Sequence, residues 1–167
     1  VTPQDDAFEL LSRLVAKSMV VVEEPRKNQP VVLRYRFLEP IRQYAEEKLL
    51  EAGETQTMRA RHRDWYLSFA EQGLQGMEGA DQRRWWDRLE LEHDNLRAAL
   101  NWSAADPNGS QALLHLAGLL GRFWEARGHG TEGIGWLEMA LAQCDTTPSS
   151  VRARALNWLG QLESRNG

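Results

Sequence analysis

Apolar positions change their period twice along the chain. Ala7, Phe8, Leu11, Leu14 and Val15 recur at helical spacing. They predict a first helix that opens at Thr2-Pro3, with Asp5 three residues after Thr2, and ends near Ser18. Met19 to Val22 is a short β-branched run, and the polar stretch EEPRKNQP from Glu23 to Pro30 reads as a hairpin loop. The period then falls to two. Leu33, Tyr35 and Phe37 alternate with Val32, Arg34 and Arg36, predicting a half-buried second strand from about Val31 to Phe37. Pro40 suits the first turn of a helix, and Ile41, Tyr44, Ala45, Leu49 and Ala52 carry that helix to a stop at Gly53.

After Gly53 the period is helical throughout. Met58, His62, Trp65, Tyr66, Phe69 and Gly73 predict one long helix, and Trp86, Leu89, His93, Leu96 and Leu100 predict a single partner for it. Asp106-Pro107-Asn108-Gly109 is a break, with Ser110 as an N-cap for a helix from about Gln111 to Arg127. Further helices are expected from about Glu132 to Gln143, and from Pro148, Ser149 and Ser150 towards Arg165. Helix after helix with short polar breaks is the pattern of an α-solenoid.

An internal repeat accompanies the pattern. AGLLGRFWEARG (Ala117 to Gly128) aligns with LNWLGQLESRNG (Leu156 to Gly167), placing Gly121 and Gly160 in register at an offset of 39 residues. That is a little longer than the tetratricopeptide period of about 34. The segment resembles the tetratricopeptide pattern: Gly121 at a close helix crossing, Trp124 at the large aromatic position, Gly128 at the turn, and Gly133, Leu137 and Ala140 at small, large and small positions. Gly133 departs from the usual alanine, and Asp145 stands where proline is common. Leu96, Ala99 and Leu100 mirror Leu137, Ala140 and Leu141, so a divergent repeat is expected over Thr55 to Ala105. A single helix pair cannot cover its apolar face, so pairs stack and leave a groove. The first helix of each pair would present His115, Arg122 and Glu125 to that groove, and Arg154, Asn157 and Gln161 one repeat later. Solvated surface is the competing reading for these six, while Trp124, Trp136 and Trp158 read as packing anchors.

Composition narrows the function classes. The 167 residues carry a net charge of −4, which disfavours a general polyanion binder. No apolar run approaches the roughly 20 residues of a membrane span. A lone cysteine, Cys144, excludes a disulfide within the chain and suits a reducing cytoplasm. Opening on Val1 and breaking off inside a repeat, the chain is expected to be a piece of a longer protein. Without a glycine-rich Lys-Ser or Lys-Thr phosphate loop it should not hydrolyse ATP alone. Its four histidines, His62, His93, His115 and His129, lack metal-ligand spacing, so no metal is expected. His62 and Asp64 fall on different helix faces, Glu90, Glu92 and Asp94 read as a solvated acidic run, and Cys144 as a structural thiol. No enzyme motif emerges.

LLSRLVAKSMV (Leu10 to Val20), RYRFLEPIRQYAEEKL (Arg34 to Leu49), RHRDWYLSFAE (Arg61 to Glu71) and LELEHDNLRAALNW (Leu89 to Trp102) together resemble consecutive signatures of bacterial LuxR-type STAND regulators. The resemblance implies a mainly α fold: residues 1–53 as the C-terminal part of a winged helix with a two-stranded β-wing, and residues 54–167 as a tetratricopeptide-like α-solenoid whose last repeat is truncated. It implies a non-catalytic regulatory fragment of a signal-sensing transcriptional regulator, meeting a protein or small-molecule inducer through its repeats. Its other partners would be the nucleotide-binding domain of the parent chain, which binds ATP or ADP, and further copies of itself. No cofactor is expected in the fragment itself. Relatives of the apoptotic and plant-resistance type carry Met-His-Asp at the start of the last winged-helix helix, with the histidine reaching ADP. Phe37, Leu38 and Glu39 occupy those places here. Leu38 cannot donate a hydrogen bond, which puts nucleotide sensing at Leu38 and Glu39 in doubt. The preferred reading makes Phe37 and Leu38 core residues and Glu39 a helix cap.

The alternative is a DNA-binding winged helix, with Arg26, Lys27, Arg34 and Arg36 on phosphates. Against it, the preceding helix sets only Arg13 and Lys17 against Asp5, Asp6 and Glu9. A helix entering a groove lined with phosphate is normally basic.

Overall fold

A computed structural model of the chain describes residues 3–23 and 33–166. Among these residues it holds eight helices and one two-stranded antiparallel sheet, in two compact units, Val1–Gln56 and Thr57–Gly167. No described helix is long and apolar enough to cross a membrane.

The first unit runs α1 (Pro3–Ala16), β1 (Val20–Glu23), β2 (Arg34–Phe37) and α2 (Glu39–Glu51). Ser18, at φ 56°, closes α1, and the Met19 amide donates to the Leu14 carbonyl at 3.0 Å. The strands pair from Val20↔Phe37 to Glu23↔Arg34. The loop expected over Glu23–Pro30, apart from Glu23, lies outside the described residues, as do Thr2, Val31 and Val32. Gly53 ends α2 as its spacing requires. It sits at φ 69°, where a side chain is strained, and the Glu54 amide reaches back to Leu49.

Burial in this unit departs from the alternation. Val20 is buried, but Leu33, Tyr35 and Phe37 remain exposed. Phe37 and Leu38 are therefore not core residues, because α2, which follows directly, buries none of its side chains. Nor does Glu39 cap the helix. Leu38 holds the N-cap position without a side-chain bond, and the Glu39 carboxylate instead accepts from the Arg42 guanidinium and from Gln43.

The second unit holds α3 (Thr55–Gly76) apart from its first two residues, and then α4 (Gln82–Leu91), α5 (His93–Ala105), α6 (Ser110–Arg127), α7 (Gly130–Gln143) and α8 (Ser150–Asn166). The single partner expected for α3 is thus two helices. The backbone turns at Glu92 (φ −97°, ψ 8°), whose carboxylate accepts from the Tyr66 hydroxyl and the Asn95 amide, both at 2.7 Å. Leu89, His93 and Leu96 face the core on both sides of the turn, so the apolar period runs unbroken across it. Ser110 is the first helical residue rather than the cap, since Gly109 already has helical φ/ψ and accepts from Leu113. Ser149 does cap α8, its hydroxyl accepting from the Arg152 amide at 3.1 Å.

Helix α6 is the centre of the core and packs against α4, α5, α7 and α8. Leu113, Leu116, Leu120, Phe123 and Trp124 on it are sealed from solvent. Each such side chain contributes about 1.5–3 kcal/mol relative to exposure. Two glycines permit the close crossings. A Cβ on Gly121 would come within 2.5 Å of Trp158 Cδ1, and one on Gly133 within 2.7 Å of Trp124 Cε3. Trp136 and Trp158 pack, half-buried, against the same core.

Candidate functional site

The six polar positions expected to line a groove do not converge on one place. Glu125, Asn157 and Gln161 line an open depression together with Leu156, Gly160, Ser164 and Arg165. Glu125 on α6 pairs with Arg165 on α8 at 2.9 Å, so this edge carries both charges and two amides. The other three look elsewhere. His115 Nε2 lies 3.7 Å from a Glu71 oxygen on α3, the Arg122 guanidinium stands over the Trp86 ring on α4, and the Arg154 stem lies beside Gly118. Leu38 and Glu39 lie in the first unit, where Leu38 is exposed. Arg42 holds the Glu39 carboxyl down, at about 2.

A second constellation brings a distant histidine to a neighbouring glutamate and histidine. Glu90 near the end of α4, His93 at the start of α5 and His129 between α6 and α7 each offer a donor atom, and these atoms lie within 4.8 Å of one another. Local backbone geometry sets each of them. The turn at Glu92 places Glu90 and His93 on the same side. Gly128, left-handed at φ 78°, lets the His129 amide donate back to Trp124 and turns the imidazole towards α5. His129 Nε2 is 3.3 Å from both Glu90 carboxylate oxygens, and the two imidazole centroids are 4.3 Å apart. His93 packs edge-on against Phe123 and is only 7% exposed, yet its Nε2 has no hydrogen-bond partner.

Glu132 on α7 approaches the same nitrogen at 3.4 Å. It is already engaged by Arg97, which donates through Nε at 2.8 Å and Nη2 at 2.6 Å. That pairing lowers the Glu132 pKa and raises that of Arg97. Burial pushes the His93 pKa below its ordinary value despite the Glu132 charge, so the ring is held neutral. The acidic run read as solvated surface is thereby divided. Glu90 faces His129, Glu92 is bonded to Tyr66 and Asn95, and Asp94 is exposed beside Arg97. Cys144 donates its thiol to the Ser110 carbonyl, joining the end of α7 to the start of α6.

His93 and His129 are 36 positions apart, and nothing in their spacing announces the cluster. The available signal was indirect. His93 falls on an otherwise apolar stripe, where a histidine needs a partner.

No family model matches the chain, and no solved structure matches it. A curated protein of Mycobacterium bovis is 39% identical over 158 residues, and so are counterparts in two strains of Mycobacterium tuberculosis. All three are provisionally named HTH-type transcriptional regulators. The match covers 90% of this chain but 17% of each relative, so the chain spans about a sixth of the length of these curated relatives.

Proposed function

We propose that this chain is a non-catalytic regulatory segment of a cytoplasmic LuxR-type STAND transcriptional regulator. In this reading residues 1–53 end a winged helix and residues 54–167 form tetratricopeptide-like repeats that meet an inducer or protein partner. The nucleotide-binding domain of the parent chain, loaded with ATP or ADP, docks on the segment, and inducer binding to the repeats releases it into a self-associating form. The observation that carries the reading is the pair of glycine crossings. Gly121 against Trp158 and Gly133 against Trp124 and Leu162 fall at the positions where a tetratricopeptide pattern puts small residues. The relatives' names support a regulator. The polar edge of Glu125, Asn157, Gln161 and Arg165 is the contact surface.

The test replaces Asn157 and Gln161 with Ala and Arg165 with Glu in a regulator bearing the segment. Inducer-dependent reporter output should fall about tenfold, the scale of an ordinary coupling energy, with promoter occupancy unchanged. Unaltered output would remove the edge from the mechanism.

DNA binding by the first unit is the second reading, and the relatives' HTH names favour it. Against it, Glu23 lies 2.9 Å from Arg36 and 3.9 Å from Arg34, which offsets the charge the wing would bring to phosphate. Fluorescence anisotropy on mixed-sequence duplexes should show no salt-sensitive binding. Binding that Arg34→Ala with Arg36→Ala abolishes would establish the DNA reading instead.

A further inference from the structure

The geometry points to a divalent metal site of the zinc class formed by Glu90, His93 and His129. It stands on the cluster alone and is independent of the regulatory reading above.

Two observations converge on it. The first is the orphaned nitrogen: His93 Nε2 is buried without a hydrogen-bond partner, in a residue 7% exposed. Leaving such an atom unsatisfied is costly, and a buried polar atom of this kind calls for a water or an ion. The second is spacing. The 3.3 Å approaches of His129 Nε2 to Glu90 are long for a charge-assisted hydrogen bond, which closes to about 2.7–2.9 Å. They match the edge of a tetrahedron around zinc, about 3.3–3.6 Å for metal–ligand bonds of about 2.0–2.2 Å. The largest separation in the set, up to 4.8 Å, must contract on loading. Glu90, whose side chain is 43% exposed, is free to make that adjustment.

The donor set selects the ion. Two imidazoles and one carboxylate suit zinc and its neighbours among the later first-row metals, whereas magnesium and calcium prefer all-oxygen shells. The surrounding charge also favours a cation. Glu90, Glu132 and Asp94 outnumber Arg97, and together they offset the positive end of α5 beside His93. Glu132, held by Arg97, stands on the same side of His93, 3.4 Å from its Nε2, so the fourth position falls to this carboxylate or to water. An ion here ties the consecutive helices α4 and α5 to the turn between α6 and α7, which lies 36 positions beyond His93 in sequence. It therefore fixes how the earlier helices of the unit sit on the later ones.

The test titrates the chelator-treated 167-residue chain with zinc chloride by calorimetry, and with cobalt(II) by visible absorption. One equivalent should bind, with the intense d–d bands of tetrahedral cobalt and a rise in melting temperature. Both His129→Ala and Glu90→Gln should weaken zinc more than about tenfold while keeping the helical circular dichroism, since neither residue is in the sealed core. Cys144→Ser should leave uptake unchanged. Absence of micromolar uptake overturns the site. So does uptake that survives both cluster variants, or uptake that Cys144→Ser removes.

Discussion

The two units of the chain treat the same kind of side chain in opposite ways. In Val1–Gln56, Phe8, Leu33, Tyr44 and Leu50 each leave more than half of their surface in solvent. In Thr57–Gly167, Leu96, Leu113, Leu116, Leu120 and Trp124 are sealed. Both regions have amphipathic helices, so propensity does not separate them. The difference is what each helix finds to pack on. Helix α6 is surrounded by four others, whereas α2 buries nothing and carries instead exposed ion pairs, Arg42 with Glu39 and Glu46, and Lys48 with Glu51. Such pairs are screened by salt and contribute little to stability. A core needs layers, and among the described residues only the second unit has them.

The sharpest way to break that comparison is to delete the same atoms from both units. Leu120 and Leu50 are both helical leucines, 1% and 72% exposed. Leu120→Ala should cost about 2–5 kcal/mol, and Leu50→Ala no more than about 0.5 kcal/mol. All seven Trp lie in the second unit, so urea melts followed by Trp fluorescence report it alone, while circular dichroism reports both. Equal losses by circular dichroism would mean that the first unit has a core of its own.

A smaller effect, with a sign change, tests the glycine crossings. Gly121 and Gly160 are equivalent in the internal repeat, but Trp158 fills the space over Gly121 while nothing lies within 4 Å of a Cβ on Gly160. Gly121→Leu should cost about 1–3 kcal/mol through overpacking, although Leu is the better helix former by roughly 0.8 kcal/mol. Gly160→Leu should show that propensity gain unopposed. A Gly121→Leu chain as stable as its parent in a denaturant melt would remove the close crossing.

What the sequence disclosed follows the same division. Helical period, Gly53 and Gly128 as stops, and the crossing at Gly121 were legible because each is a local rule or a short repeat. The break at Glu92 was hidden because Leu89, His93 and Leu96 keep an unbroken apolar period across it. Alternation in Leu33, Tyr35 and Phe37 correctly marked a strand but overstated burial, since period reveals a face and not what covers it. The Glu90, His93 and His129 cluster was invisible because its members meet only through the packing of α4, α5 and the α6–α7 turn. Among the groove positions, Glu125, Asn157 and Gln161 share an edge, while His115, Arg122 and Arg154 are drawn to Glu71, Trp86 and the side of Gly118. Helical spacing fixed their face but could not anticipate these neighbours.

The smallest expected effect concerns a single half-buried group on α3. His62 packs against Tyr66 with ring centroids 4.7 Å apart, and Tyr66 donates its hydroxyl to Glu92. Burial lowers the His62 pKa below 6.5, and the Glu92 charge only partly opposes this. The fold therefore prefers the neutral ring. Well above pH 6.5 neither the folded nor the unfolded chain protonates His62, and the residue has no influence on the pH dependence. As pH falls below that value the unfolded chain takes up the proton first, so stability drops until the folded pKa is passed, and is level thereafter. His62→Gln keeps a polar side chain at the site but removes the titration. Melts between about pH 8 and about pH 5 should therefore show a shallower acid-side decline for the variant than for its parent. In the parent, the His62 Cε1 proton should titrate by NMR with a midpoint below 6.5. A midpoint at or above that value would mean that Glu92 outweighs burial, and that the Tyr66 edge of the second unit is wetter than its sealed centre.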